Sequence, residues 1–272
     1  MNNMKEINLI AEIGWNHMGD MDLAKKMIDA ANDSGAQFAK FQTWSVDNLK
    51  PGPWDEDGRL EIYKKAELTK DKHFELYNYC NEAGIQFLTS IFNVKDVDFV
   101  ESLDNEIIKI PSHEAYNSEL LSKSSEAFKK VIVSAGACSW EEVKNIVKIV
   151  PSEKLILLHC VSAYPANYED LNFAKMIELK KLCKNVGYSG HHESIEDSIL
   201  AISMGATYIE KHFTIDRDLP GRDNKFAILP PEFKILSNYR DHYLDMMKDR
   251  GLDLQEKEKD IFENYRGRWS KI

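Results

Sequence analysis

Two short stretches of the chain place histidines where a strand should end. GYSGHHES (187–194) sets His191 and His192 just after Ser189, and TYIEKHFT (207–214) sets His212 two residues after Glu210. Two imidazoles near a carboxylate suit Mn2+, Fe2+ or Zn2+, and two protein ligands leave coordination positions open for water and substrate. Lys40 and Lys109 also close apolar runs, with Ser90, Ser112 and Ser189 available as hydroxyl donors. That combination suits a phosphate or a carboxylate. The chemistry expected is that of a pocket holding an anion beside a divalent metal.

Such a pocket needs elements that bring distant residues together. Eight apolar runs recur along the chain: 7–13, 37–42, 86–90, 107–110, 131–135, 155–160, 185–189 and 207–212. They alternate with helical patterns in units of roughly 30 residues, with no linker or low-complexity tract between them. Val143, Ile146, Val147 and Val150 follow the i, i+3, i+4, i+7 spacing of one helix face. Ser139 with Glu142, and Ser194 with Asp197, read as capping boxes; Gly35, Gly84 and Gly205 read as helix stops, and Pro231 as the first residue of a last helix. Eight strand–helix units predict a parallel sheet closed into a (β/α)8 TIM barrel, a single domain over 1–272, with a doubly wound open sheet as the alternative.

In a barrel, every loop after a strand opens on one face, and that face holds the active site. Glu12, Lys40, Gln42, Ser90, Lys109, His159, Ser189, His191, Glu210 and His212 all stand near strand ends and are expected at this mouth. Period-two alternation pairs Lys40 with Gln42, Ser189 with His191 and Glu210 with His212, and turns His192 the other way. Charged groups are almost never buried unpaired, so a shared ligand would explain them jointly. Two loops are long, Thr43 to Leu68 with PGPW (51–54) and Phe213 to Pro230 with LPGRDNKF, and both read as lids.

Composition sets limits on the partners. The chain has 272 residues, 43% hydrophobic and 29% charged, with a formal charge of -10 that argues against general nucleic-acid binding. The N-terminal MNNMKEINLIAEIG, charged at Lys5 and Glu6, has too short an apolar run for a signal core or a membrane span, and a cytoplasmic protein is expected. Cys80, Cys138, Cys160 and Cys183 are widely spaced and read as reduced thiols, with Cys160 packed rather than nucleophilic. Tyr188-Ser189-Gly190 does not complete a G-x-S-x-G nucleophile elbow. Tyr63, His73, Trp140 and Trp269 carry no functional signal of their own.

Seven blocks together resemble the sialic acid (N-acetylneuraminate) synthases and their relatives for other nonulosonic acids. They are IAEIGWNHMGD (10–20), KFQT (40–43), KIPSHE (109–114), HCVSAYP (159–165), GYSGHH (187–192), IEKHFT (209–214) and LPGRD (219–223), in the family's order. The resemblance implies a metal-dependent transferase that condenses phosphoenolpyruvate with an N-acylated amino-hexose, such as N-acetylmannosamine, and releases phosphate. It implies His191 and His212 as ligands of Mn2+ or Mg2+; Lys40, Ser90, Lys109, Ser112 and Ser189 as the phosphoenolpyruvate site; Gln42, Tyr164 and Asp223 as sugar contacts; and Glu12 and Glu210 as acid/base candidates.

The sequence departs from the family pattern in three places. Pro111-Ser112-His113 replaces a glycine-serine-glycine turn, and Ser162 replaces an asparagine. Many members continue into a small antifreeze-like domain, whereas this sequence stops after ENYRGRWSKI. That domain supplies a sugar-site arginine to a partner subunit. The expectation is a homo-oligomer without the domain, in which the sugar is held differently, or Arg222, Arg266 or Arg268 substitutes, or a separate antifreeze-like chain provides the arginine, the alternative being that the sequence is a truncated piece of a longer chain. The rival readings are a related phosphoenolpyruvate-using 2-keto-3-deoxy sugar acid synthase acting on a phosphorylated aldose, and a non-catalytic sugar-binding barrel.

Overall fold

A computed structural model of the chain describes residues 6–53 and 55–269, so Lys5 and the Trp54 of PGPW lie outside the described residues. Eight parallel strands close into a barrel in chain order: β1 (Asn8–Glu12), β2 (Phe38–Thr43), β3 (Gln86–Ile91), β4 (Ile107–Ile110), β5 (Lys130–Ser134), β6 (Leu155–Cys160), β7 (Val186–Gly190) and β8 (Tyr208–His212). The expected strands are all present, each end within two residues of the apolar run that announced it. The helices are α1 (Met21–Asp33), α2 (Arg59–Ala66), α3 (Lys70–Ala83), α4 (Val97–Leu103), α5 (Ser118–Ala127), α6 (Trp140–Ile149), α7 (Phe173–Leu182), α8 (Glu196–Ser203) and α9 (Pro230–Met246). None is long and apolar enough to cross a membrane.

Strand parity sorts the apolar residues into two cores. Ile10, Phe38, Leu88, Ile132, Ile156, Leu158 and Tyr208 fill the lower lumen, while Leu9, Phe41, Ile108, Val131, Leu157 and Ile209 pack outward against helices. In α6 the predicted stripe buries Val143 and Ile146, and Ser139 and Glu142 form the expected capping box. Gly84 ends α3 at φ +81°, and Gly35 and Gly205 follow α1 and α8 at φ +91° and +86°.

Four local expectations are corrected. Ser194 does not cap α8: the N-cap position is Ile195, and Asp197 is buried against Lys211 at 3.0 Å, a partner that outbids exposed capping. His159 does not face the mouth, because its parity sends it outward, where Nε2 donates to the Leu171 carbonyl at 2.7 Å and the ring packs on Phe173 and Tyr188. Pro230, one residue before Pro231, starts α9. The long second loop contains a helix of its own, α2, which returns the chain over the mouth.

Candidate active site

One layer above the apolar filling, the lumen becomes charged. The strand register sets Glu12 beside Lys40, Gln42 beside Ser90, Ser90 beside Lys109, and Ser189 beside Glu210. The side chains complete the connection: Lys40 Nζ lies 2.8 Å from Glu12, 2.9 Å from Ser90 Oγ and 3.4 Å from Glu210. Lys109 Nζ donates to both Glu210 oxygens at 2.8 and 2.7 Å, Ser189 Oγ donates to Glu210 at 2.9 Å, and Gln42 donates to Glu12 at 2.6 Å. Glu12, Lys40, Lys109 and Glu210 are all buried. The sequence therefore placed seven of its candidate residues in one hydrogen-bonded floor.

Burial acts on the two carboxylates alike, but the charges around them do not. Burial raises Glu12, and Lys40 only partly opposes it. Burial would also raise Glu210, yet the ammoniums of Lys109 and Lys40 hold it well below the usual carboxylate range. Burial lowers Lys109 despite Glu210, whereas at Lys40 the same penalty is overcome by Glu12 and Glu210, which raise it. Both ammoniums keep a carboxylate partner, as buried charges require.

Above the floor stand the two histidines, ring centroids 5.4 Å apart. His191 Nδ1 lies 2.7 Å from the Val161 carbonyl, which can only accept, so the ring donates from Nδ1 and turns Nε2 away from the backbone. His212 Nδ1 is buried without a hydrogen-bond partner and lies 3.5 Å from Asp223. Burial, then His191, push His212 well below the ordinary imidazole value. Burial, reinforced by Glu12, raises Asp223 to about 7. Tyr164 packs on the His191 ring at 4.0 Å, so the three predicted sugar contacts surround the same mouth. Among the described residues, no three His, Cys, Asp or Glu side chains form a ready-made metal cage.

Ser112 joins from the side, in a short turn after β4, where its Oγ accepts from Gly136 N at 3.1 Å. A Cβ at Gly136 would meet Ser162 Oγ at 2.6 Å, Ser112 Oγ at 2.8 Å and Cys160 Sγ at 3.0 Å. Glycine there lets two hydroxyls and a thiol close around the end of β5. Two neighbours were not among the expected site residues. Ser134 shares the inward parity of Ile132 and is buried with an unpartnered Oγ; its signal was the same strand-end serine that marked Ser90 and Ser189. Cys160 is packed as expected, but it faces the mouth 4.0 Å from His191 Nδ1. Burial would raise this thiol, and His191 instead brings it to about 7.

Other candidates lie elsewhere. His192 turns away as parity requires, with Nδ1 2.8 Å from the Ala166 carbonyl and its ring on Tyr168. Arg222 pairs with Asp57 at 3.3 Å, tying the eighth loop to the second. Arg266 and Arg268 lie in the exposed tail over the rings of Phe262 and Tyr265.

A parallel barrel with a buried lysine–carboxylate floor at its C-terminal mouth, beneath paired histidines, is an anion-handling enzyme architecture. The NeuB family model matches residues 27–250, and the chain belongs to that family. It is 37% identical over 250 residues to the N,N'-diacetyllegionaminic acid synthase of Campylobacter jejuni, covering 86% of this chain and 75% of that one. To the pseudaminic acid synthase of the same species, strain 81-176, it is 33% identical over 271 residues, covering 94% and 79%. The crystal structure of the N-acetylneuraminic acid synthetase of Leptospira borgpetersenii, in complex with citrate, superposes with a TM-score of 0.87 at 32% identity, covering 99% and 96%.

Proposed function

We propose that this protein condenses phosphoenolpyruvate with an N-acylated amino-hexose to a nonulosonic acid and inorganic phosphate. The observation that carries the reading is the floor: Lys40 and Lys109, buried and held by Glu12 and Glu210, with Ser90 and Ser189 as flanking hydroxyls. Two ammoniums and adjacent hydroxyls suit the carboxylate and phosphate of phosphoenolpyruvate. Ser112, whose Oγ accepts from Gly136 N and so keeps its own O–H to donate, and Ser134 extend this donor surface toward β5.

In the reaction, C3 of phosphoenolpyruvate forms a bond to the aldehyde carbon of the open-chain sugar, whose oxygen takes up a proton. Water adds to the cationic C2 and gives up a proton, and the C2–O bond to phosphate then breaks as the new C2 hydroxyl passes its remaining proton to the departing phosphate, leaving the 2-keto group. The opposed environments of the two carboxylates divide the labour. Glu210, held ionised by Lys109 and Lys40, stabilises positive charge at C2. Glu12 is poised to accept and return a proton, and an arriving anion pushes it further toward its protonated form. Gln42, fixed by Glu12, and Tyr164 and Asp223 at the rim orient the sugar.

His191 and His212 fit a divalent cation, Mn2+ or Mg2+. The Val161 carbonyl orients one ring, leaving Nε2 for a ligand, and the other has a buried Nδ1 with no partner. Such an ion, when bound, supplies Lewis acidity toward a carbonyl oxygen. The deciding assay is phosphate release from phosphoenolpyruvate with N-acetylmannosamine and related acylamino-hexoses, with Mn2+ and with chelator. Turnover that needs both the sugar and the metal is expected; release with phosphorylated aldoses alone, or with no sugar tried, would overturn the reading.

A further inference from the structure

The inward parity of β2 and β3 continues one step past the strand ends. Trp44 follows Gln42 by two residues and Phe92 follows Ser90 by two, and their rings lie 5.7 Å apart, as the Gln42–Ser90 register requires. Trp15, from the loop after β1, and Tyr63, from α2, complete the group: Trp15 lies 6.2 Å from Trp44 and 5.1 Å from Tyr63, and Trp44 lies 6.1 Å from Tyr63. These rings form an aromatic storey above the charged floor. Barrel order sets it on the side of the mouth away from Tyr164 and His191, which follow β6 and β7. It is continuous with the rim, because Tyr63 is close enough to Asp223 and Arg222 to respond to both charges.

Two atoms of this storey are out of place in an apolar wall: the indole Nε1 of Trp15 and that of Trp44 are both buried without a hydrogen-bond partner. Trp15 is turned toward the Asp223 carboxylate, which it helps hold ionised, and this leaves Trp44 as the donor that faces no acceptor. A buried donor left unsatisfied is costly, and where one persists beside a binding cleft it marks the position of an acceptor that arrives with the ligand. Ring faces take methyl groups and C–H edges; an N–H takes a carbonyl oxygen. An acylamino substituent presents both on one short planar group. A phosphate would fit poorly, since Arg59 and Arg222 of the flanking loops are both drawn to Asp57, at 3.0 and 3.3 Å.

We propose that Trp44, with Trp15, Tyr63 and Phe92, forms the subsite for an acylamino group of the acceptor sugar, Trp44 Nε1 donating to the acyl oxygen. The assignment rests on the proposed condensation and makes Trp44 a specificity-determining residue for it. A site built to hydrogen-bond a substrate group discriminates against analogues that lack it, because its own buried group is then left unpaired.

The test compares N-acetylmannosamine with mannose, which has a hydroxyl in place of the acylamino group, in the wild type and in Trp44→Phe, which keeps an aromatic ring but removes the donor. The kcat/KM preference for the acylated sugar should fall about tenfold in the variant, the loss expected for one hydrogen bond, through the sugar KM, with the phosphoenolpyruvate KM unmoved. An unchanged preference, or a phosphoenolpyruvate KM that rises in parallel, overturns the assignment. Calorimetric titration with each sugar in the presence of phosphoenolpyruvate separates the two proposals. Tight, Trp44-dependent binding of N-acetylmannosamine without phosphate release would sink the condensation and leave the subsite standing. Wild-type binding that does not distinguish the two sugars would sink the subsite even if turnover proceeds.

Discussion

Glu210 gives both carboxylate oxygens to the Lys109 ammonium, at 2.8 and 2.7 Å, in a fully buried pair that spans the lumen from β8 to β4. Neutralising one partner separates charge from shape. Glu210→Gln keeps the volume but leaves Lys109 and Lys40 without one of their counter-charges. If Glu210 stabilises cationic C2, kcat should fall by about 10²–10³-fold, the range for removing one oriented electrostatic group. The freed ammoniums should at the same time bind phosphoenolpyruvate more tightly. Steady-state kinetics together with direct phosphoenolpyruvate titration read that split; a weaker phosphoenolpyruvate affinity with unchanged kcat would refute it.

The His191–His212 pair makes a separate prediction. With ring centroids 5.4 Å apart and one ring oriented by Val161, each imidazole should be required for metal affinity. His191→Ala and His212→Ala should each abolish measurable Mn2+ binding by titration calorimetry or by the Mn2+ EPR signal, and lose metal-dependent turnover with it. Tight Mn2+ binding retained in either variant would remove that residue from the ligand set.

Much of this site was legible because strand parity is a rigid rule. Once the eight runs were placed, period two alone put Lys40 with Gln42 and Glu210 with His212, and the register then brought Glu12, Ser90, Lys109 and Ser189 to the same layer. His159 shows where a list of strand-end polar residues fails: it lies one position out of phase with Cys160 and faces helices instead. Asp197 shows a different limit. Its spacing from Ser194 mimics a capping box, but tertiary pairing with Lys211 prevails over the local signal. The aromatic storey depends on contacts between loops after different strands, which no spacing within one segment encodes.

That Lys211–Asp197 pair lies outside the lumen, behind the site, with Tyr188 OH also donating to Asp197 at 3.1 Å and Lys211 Nζ donating to the His192 carbonyl at 2.5 Å. Lys211→Met should cost about 3–5 kcal/mol, because it strands a buried carboxylate. Combining it with Asp197→Leu should recover part of that loss, since the second change removes the unpaired charge. Urea unfolding of the two singles and the double measures this. A double variant less stable than either single, by the sum of their effects, would show that the two side chains are not coupled.

His17 predicts how stability responds to pH. The ring is fully buried and its Nδ1 accepts from Gly19 N at 3.0 Å, so it sits neutral in the folded state. Burial, then Lys72, lower it from 6.5 to about 4, with Asp20 opposing and His73 adding to the effect. A lowered folded value means that the unfolded chain binds the proton more readily. The contribution of His17 is therefore fully present above pH 6.5 and is lost as pH falls toward 4, by roughly 3 kcal/mol in all. His73, also lowered by burial, adds a slope of the same sign. Between pH 6.5 and 4, His17→Gln should lose stability less steeply than the wild type in denaturant titrations, although it starts from a lower value at neutral pH. Parallel curves for the two proteins would mean that His17 does not carry this titration.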